Sequence, residues 1–354
     1  MRTLSLMEQG LTLAVEGDLL LVERGGATLQ RVRLGDVDEV LVFGAVTLTP
    51  SATARLLRRG VETVFLSARG RYRGRLAGHR SRNVELRLTQ FRRFGVDDDA
   101  LPLARAIVTG KLTNQRQLLL RAQREHKHEG LAAAIAALRR LTDQVATTTS
   151  RDELMGVEGR AAAIYFAALG TCLRNPSFTF TRRTRRPPRD PVNAVLSFGY
   201  TMLGFAMEGA VQRTGFDPML GAFHAPSYGR PSLVLDLIEE FRPVLVDSLM
   251  LRLVNRRELG LEDFEDAPQP DEDDDPFVDA GDEGSAEGPL RGVWLSDTGR
   301  RVFYRAWGRR LREVVLYPLL GRRFALEDIL HQQVLQLARV VRGEADLYVP
   351  FTPR

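Results

Sequence analysis

Residues 71–93, RYRGRLAGHRSRNVELRLTQFRR, are where the chain changes character. They hold eight arginines against a single acid, Glu85. Upstream the sequence is strand-like. The runs LTLAVEGDLLLVE, ATLQRVRL, VDEVLVFG and VETVFLS are short and β-favouring, with turn formers such as Glu16, Gly17 and Asp18, or Gly25 and Gly26, between them. One helix interrupts them near residues 50–60, with Thr49 or Ser51 as its cap. Downstream the apolar spacing becomes helical. LARAIVTGKLTNQRQLLLRAQRE and LAAAIAALRRLTDQVA read as a helical pair turning near Glu129 and Gly130, and further helices follow near 302–315 and 326–341. The pattern predicts an α+β protein: a small N-terminal β-rich domain over residues 1–90, then a larger all-helical domain over 96–354. The arginine stretch between them is either a solvated linker or a polyanion contact.

A length of 354 residues fits two cores better than one. The formal charge of +5 is unevenly spread. Residues 262–287 carry thirteen acids and no Lys or Arg, which leaves 32 acids against 50 bases elsewhere. A positive field of that size suits nucleic acid and predicts salt-dependent binding. The acidic run is also rich in Gly, Pro and Ser and too poor in apolar residues to order itself, so a disordered acidic insertion is expected at about 262–288. It is a solubilising loop or an internal mimic of DNA. The bases are nearly all arginine, with only Lys111 and Lys127 as lysines. A single cysteine, Cys172, excludes an intrachain disulfide. No GxxxxGK[ST] loop and no Cys/His zinc pattern is present, so neither ATP hydrolysis nor structural zinc is supported. Without a secretory signal or a run of about 18 apolar residues, a soluble cytoplasmic protein without membrane contact is expected.

Three segments carry chemistry. GAFHAPSYGRPSLVLDLIEEFRP, residues 221–243, sets His224 ahead of an apolar helix bearing Asp236, Glu239 and Glu240. Positions 236, 239 and 240 share one helix face. Burying such acids is costly unless a positive group meets them, and a divalent metal or the flanking Arg230 and Arg242 are the alternatives. SRDELMGVEGRAAAIYFAALG, residues 150–170, opens with a capping box, Ser150 with Glu153, and carries Glu158 between Gly156 and Gly159. Two glycines inside a helix suggest close approach of another backbone. RRTRRPPR, residues 182–189, puts Arg182, Arg183, Arg185 and Arg186 on an extended loop, a way to hold a strand by its phosphates, and Asn193 opens the next helix. Lys111, with Asn114 and Arg116, lines either a DNA path or the polar face of an amphipathic helix.

ELMGVEGRAAAIYF, RPPRDPVNAVLSFGYTML and FHAPSYGRPSLVLDLIEEFRP, in this order, resemble the signature of the CRISPR-associated integrase, the DNA-integrating endonuclease of CRISPR adaptation. The resemblance implies that the helical domain is catalytic and that Glu158, His224 and Glu239 bind a divalent cation, Mn²⁺ or Mg²⁺. It places a further catalytic acid at Asp236, one turn before the last ligand. That ligand is taken as Glu239 rather than Glu240 because it stands three residues beyond Asp236. The reaction implied is insertion of short duplex DNA into a CRISPR array by attack of a 3′-OH on a phosphodiester. A structure-specific nuclease without integration, or an inactive DNA-binding scaffold, are the alternatives. The implied partners are double-stranded DNA and CRISPR repeat DNA, a second copy of the chain docked through the β-rich domain, and a small ferredoxin-like adaptation protein. Candidate DNA contacts are Lys111, Arg182, Arg183, Arg185, Arg186, Asn193, Arg230 and Arg242.

Overall fold

The computed structural model describes residues 3–68, 70, 72–76, 83–125, 129–185, 187–267 and 292–353. The chain divides into two compact units, Met1–Arg80 and Ser81–Arg354.

The first unit is built from two four-stranded sheets. One has the order β1 (Thr3–Leu6), β5 (Glu39–Phe43), β7 (Glu62–Leu66), β8 (Tyr72–Leu76), parallel except for β8. The other runs β4 (Ala27–Arg33), β3 (Leu19–Arg24), β2 (Thr12–Glu16), β6 (Thr47–Leu48), an antiparallel meander closed by a parallel β6. Strand β5, EVLVF, is buried at every position, as a central parallel strand covered on both faces should be. The helix α1 (Pro50–Arg59) starts where expected. Thr49 Oγ1 accepts from Ala52 N at 3.2 Å, and Gly60 stops the helix in the left-handed region at φ 66°. Its inner face, Ala52 and Leu56, joins Leu6, Leu13, Leu20, Val40 and Val42 in the core. Strand β4 lies at a sheet edge with nearly every side chain exposed.

The second unit begins with α2 (Val84–Phe94), which lies beyond the first unit although the sequence pattern placed most of it within 1–90. Then come α3 (Asp97–Glu125), α4 (Glu129–Val145), α5 (Arg151–Gly170), α6 (Pro191–Thr214), α7 (Ser232–Ile238), a π-helical turn at Arg242–Asp247, and α8 (Ser248–Asn255). Helices α9 (Asp297–Leu311) and α10 (Leu326–Val341) close the unit. It is mostly, not entirely, helical. Strands β9 (Phe264–Ala267) and β10 (Gly292–Leu295) pair antiparallel, as do β11 (Val314–Tyr317) and β12 (Arg322–Ala325). The helix expected to run to residue 315 ends at Leu311. The β-branched pair Val314 and Val315 enters a ribbon that turns near Pro318, with Gly321 at φ 62°.

The first residues of the expected acidic insertion have a defined structure. Residues 262–267 are ordered: Asp263 accepts from Gly260 N at 3.0 Å, its carbonyl accepts from Ser296 N at 2.8 Å, and Phe264 meets Phe178 edge-on at 5.9 Å. The rest of that run, 268–291, lies outside the described residues, as does Arg186.

Helix α6 is the centre of the second unit. Asp190 caps it by accepting from Asn193 N at 2.8 Å, and Gly215 ends it at φ 106°. It is long and apolar enough to cross a membrane, contrary to the sequence expectation, but 83% of its most apolar window is buried against the rest of the unit. Its Gly199 faces the π-helical turn so closely that a Cβ there would lie 2.5 Å from Val246 Cγ1. Gly199→Ala is therefore expected to lower stability by about 1–3 kcal/mol through overpacking. Urea unfolding followed by far-UV circular dichroism checks this.

Candidate active site

Six charged or ionisable side chains from separate elements meet in the second unit. Lys111 comes from the middle of α3 and Glu158 from the second turn of α5. Asp236 lies on α7, with Glu239 at its end and Arg242 opening the π-helical turn. His224 comes from the loop before α7. Lys111 Nζ lies 2.5 Å from Glu158 Oε1 and 2.6 Å from Glu239 Oε2. The two carboxylate oxygens thus stand no more than about 5 Å apart, the sum of those contacts. Arg242 Nη1 reaches the other oxygen of Glu239 at 2.9 Å. Burial works against ionisation of Glu239, but Arg242, Lys111 and His224 outweigh it and hold the carboxyl below its ordinary range. Burial likewise opposes the charge on Lys111, and Glu158 with Glu239 raises its pKa above the usual lysine value despite that.

Asp236 is fully buried and its carboxylate is saturated by the segment that carries His224. Oδ2 accepts from Ala222 N at 2.6 Å and Phe223 N at 2.9 Å, and Oδ1 from His224 N at 2.9 Å. His224 Nδ1 lies 2.7 Å from Oδ1. Gly221 permits this approach, since a Cβ there would sit 2.6 Å from Asp236 Oδ2. With a carboxylate as acceptor, Nδ1 carries a proton, so Nε2, on the other side of the ring, is the nitrogen that offers the lone pair whenever the ring is neutral. Asp236 therefore sets the orientation and tautomer of His224.

The donor set suits a divalent cation. Two carboxylates face one positive centre, and an oriented imidazole stands by. Glu239 Oε2 is a buried oxygen whose 2.6 Å contact with Lys111 has no aligned hydrogen bond. Among the described residues no three His, Cys, Asp or Glu side chains are close enough to hold an ion as they stand. Lys111 occupies the space between two of them.

A family profile described as CRISPR associated protein Cas1 matches residues 4–271. The chain is 35% identical to a protein of Rhodospirillum rubrum named CRISPR-associated endonuclease Cas1 2, across 99% of this chain and 98% of that one. The chain belongs to the Cas1 family. Its fold is shared with a casposase bound to its integration product, at a TM-score of 0.78 and 20% identity, covering 99% of this chain and 93% of that chain. It is shared as well with part of a Cas6-RT-Cas1–Cas2 complex, at a TM-score of 0.75 and 25% identity, covering 99% of this chain and 36% of that one.

In this Cas1-family chain, Glu240 points away from the cluster into a separate buried pocket. Its Oε1 accepts from Gln333 Nε2 at 2.8 Å and Tyr348 Oη at 2.9 Å, and its Oε2 from Phe351 N at 3.0 Å. Burial pushes its carboxyl up to about 8, because no cation reaches it. The Glu239 side chain, not that of Glu240, faces Lys111 and Arg242.

Three candidate DNA contacts, Lys111, Asn193 and Arg242, are interior, while Arg183 and Arg230 are half-buried. Lys111 and Arg242 belong to the charge cluster. Asn193 is fully buried: its Oδ1 accepts from Arg183 Nη1 at 2.8 Å and Thr184 N at 2.9 Å, and its Nδ2 donates to Arg182 O at 2.9 Å. It shapes the 182–189 loop from within. Arg183 donates to Ser197 Oγ at 2.9 Å and stacks 5.4 Å from the Tyr200 ring, and burial lowers its pKa to about 10. Arg230 Nη2 donates to Ala225 O and holds the loop after His224. Arg182 is exposed and Arg185 half-buried. Gly156 and Gly159 make no close backbone contact, so that reading of α5 fails. The near approach is at Gly170, where a Cβ would lie 2.3 Å from Phe180 O.

Two features had no sequence reading. A groove of about 340 Å³ runs from Asn114 past Arg121, Arg174, Arg252 and Arg256. Beneath the site, Asp247 accepts from Tyr165 Oη and Tyr200 Oη, each at 2.6 Å, and Arg242 lies 4.8 Å from the Tyr200 ring. An acid–tyrosine cluster spread over three helices leaves no local spacing to recognise. Burial raises the Asp247 carboxyl to about 6 against the hydrogen bonds from Tyr165 and Tyr200 and the charges of Arg242 and Arg183. Its folded pKa exceeds the unfolded value near 3.8. The contribution of Asp247 to stability is thus complete below about pH 4 and is lost as pH rises through about 6. In Asp247→Asn that loss should disappear, so the variant gains on the wild type by up to about 3 kcal/mol between pH 4 and 6. Urea melts across that range measure it.

Proposed function

We propose that this chain is a metal-dependent DNA endonuclease that also joins DNA, inserting short duplexes into a CRISPR array. The observation that carries this reading is the convergence of Glu158 and Glu239 on one cationic centre, with His224 oriented beside it by Asp236. Membership of the Cas1 family, relatives named endonucleases, and a fold shared with a casposase bound to an integration product support it.

Glu158, Glu239 and His224 Nε2 would hold the cation. Oxygen donors with one imidazole suit Mn²⁺ or Mg²⁺, the nitrogen favours Mn²⁺, and Zn²⁺ would compete as an inhibitor. When bound, the ion supplies Lewis-acid stabilisation of the charge that develops on the phosphate. The chain's own residues do the rest. Asp236 fixes the imidazole, Arg242 holds Glu239 ionised, and Lys111 keeps a second positive charge at the site for a phosphate oxygen. In joining, a 3′ hydroxyl oxygen forms a bond to phosphorus, the bond to the leaving 3′ oxygen breaks, and the proton passes from attacker to leaving group through solvent. Water in place of the hydroxyl gives cleavage.

The DNA would meet Arg182 and Arg185 of the 182–189 loop and the arginines of the groove. Tyr228 is fully exposed four residues after His224 and offers a ring on which a base can stack. Glu158→Ala, His224→Ala and Glu239→Ala should each abolish Mn²⁺-dependent cleavage of supercoiled plasmid and joining of a 3′-OH duplex to it, with far-UV spectra unchanged. Asp236→Asn should cost about 10–100-fold in activity, the usual effect of removing the partner that orients a ligand. A folded His224→Ala enzyme with full activity would overturn the ligand set. Cleavage without any joining would leave a nuclease only.

Inserting a duplex requires two coordinated attacks on opposite strands, which one site does not supply. We therefore propose a homodimer formed through the first unit, where β4 presents an unpaired edge with Leu29 57% exposed. A small ferredoxin-like adaptation protein would bridge two such dimers, in keeping with the fold shared with part of the Cas6-RT-Cas1–Cas2 complex. Light scattering at micromolar concentration should give twice the chain mass. A monomer whose activity is independent of concentration would defeat the dimer.

A further inference from the structure

We propose that the segment Tyr348–Phe351 is a positioning element of the active site, fixing the placement of Glu239 against Lys111. The proposal deepens the metal-nuclease reading and rests on it.

Both partners of the Lys111–Glu239 pair have their immediate neighbours gripped by this one segment. On the Glu239 side, the Glu240 carboxylate accepts from Tyr348 Oη at 2.9 Å and Phe351 N at 3.0 Å. On the Lys111 side, Gly110 lies under Pro350, where a Cβ at Gly110 would come within 2.4 Å of Pro350 Cβ and 3.3 Å of Glu240 Cβ. Asn114, one helical turn beyond Lys111, ties the two together. Its Nδ2 donates to Glu240 O at 2.7 Å and to Phe351 O at 2.8 Å. The segment is in turn anchored to α10. Gln333 Nε2 donates to Tyr348 Oη at 3.0 Å and Val349 O at 3.1 Å, and the amide atoms of Gln336 lie 2.9 and 3.0 Å from the Val349 backbone N and O. Phe351 stacks on Phe241 at 5.5 Å, two residues beyond Glu239.

None of these groups reaches the charge cluster. They fix where α7 ends relative to α3, and so how far Glu239 stands from Lys111 and from Glu158 on the far side. Past Ile238 the turn tightens: Glu239 keeps α dihedrals at φ −56° and ψ −45°, but its N–H donates to Asp236 O three residues back, and the π-helical turn starts at Arg242. The segment adds a restraint on this transition from outside the helix. Displacing a carboxylate ligand by 1 Å weakens both metal affinity and the reaction geometry.

The test uses two full-length variants that act through different physics. Tyr348→Phe removes one donor from Glu240. Gly110→Ala pushes Pro350 off α3. Each is compared with Gly299→Ala, which carries a steric clash of similar severity with Asp263 O, between residues that make no contact with the cluster given above. Three readouts are taken at a temperature where all are folded: Mn²⁺ affinity by calorimetry, kcat and KM for plasmid cleavage, and the urea midpoint. We expect Tyr348→Phe and Gly110→Ala to weaken Mn²⁺ binding and lower kcat about tenfold or more with KM unchanged, a displacement effect of the size reported for ligand-orienting partners. Gly299→Ala should lower the urea midpoint while retaining kcat and Mn²⁺ affinity. If both site-neighbour variants lose stability yet bind Mn²⁺ and turn over like wild type, while Glu239→Ala loses both, the segment is merely structural and the proposal fails. If Glu239→Ala itself retains Mn²⁺ affinity and activity, the metal reading fails, and the proposal with it. Should one variant not fold, the other decides.

Discussion

The structure of the second unit depends on cancelling charge in its interior. Lys111 and Glu239 are both buried, and Glu158 is only slightly more exposed. Each ion removed from water costs several kcal/mol, and removal of one member of such a set leaves the others uncompensated. Lys111 on α3 neutralises carboxylates that come from α5 and from the end of α7, and Arg242 shares the second of them. No single element carries a balanced set. The helices must therefore arrive together, which makes the cluster a condition of folding as well as a place for chemistry. The glycines that allow close approach, Gly110 beside Pro350, Gly199 under Val246 and Gly221 over Asp236, lie around this cluster.

What the sequence disclosed follows from that physics. Acids in apolar stretches are conspicuous, because their burial demands a reason. Asp236, Glu239 and Glu240 stood out together on those grounds, with His224 marked by the loop that precedes them, whereas Glu158, and the choice of Glu239 over Glu240, rested on the resemblance to the CRISPR-associated integrase. Lys111 was not legible. On a helical wheel it lies about 60° from Asn114 and about 140° from Arg116, and only the tertiary fold turns Lys111 and Asn114 inward. In a chain whose bases are otherwise almost all arginine, a lysine in mid-helix was the one available signal. Gly156 and Gly159 invited a close-contact reading that the structure refuses, since α5 makes its near approach at Gly170 instead. The β-rich first unit was legible because strand alternation is local. The two ribbons of the second unit were not, being four residues a strand and embedded in helical surroundings.

Net charge does not say which way a base faces. Counting bases suggested a broad polyanion surface, but part of that charge faces inward. Arg183 and Arg242 each lie over the Tyr200 ring, and Asn193 stitches the 182–189 loop to the start of α6. Arginine suits such work, since its guanidinium is weakly hydrated, planar and able to stack on a ring while donating in its own plane. The loop thus has inner contacts that hold its shape, while Arg182 faces solvent beside a half-buried Arg185. A phosphate meeting Arg182 touches a loop whose inner contacts continue through Tyr200 and Arg242 to Glu239.

Glu239 and Glu240 show how far environment overrides residue identity. Successive helical residues point about 100° apart, so at the end of α7 the two side chains enter different surroundings. One meets an ammonium and a guanidinium and stays below the ordinary carboxylate range. The other meets an amide, a phenol and a backbone N–H, all neutral, and burial drives it up to about 8. The first is suited to a cation because its charge is kept. The second is suited to a structural role because donors surround it and no cation does. A slip of one residue that carried Glu239 into the neutral pocket would bring Ile238 against Lys111, leaving that lysine with Glu158 alone. The contacts that set that register, Asn114 on the Glu240 carbonyl and Asp236 on the His224 loop, are therefore as necessary to the site as the groups that face the cation.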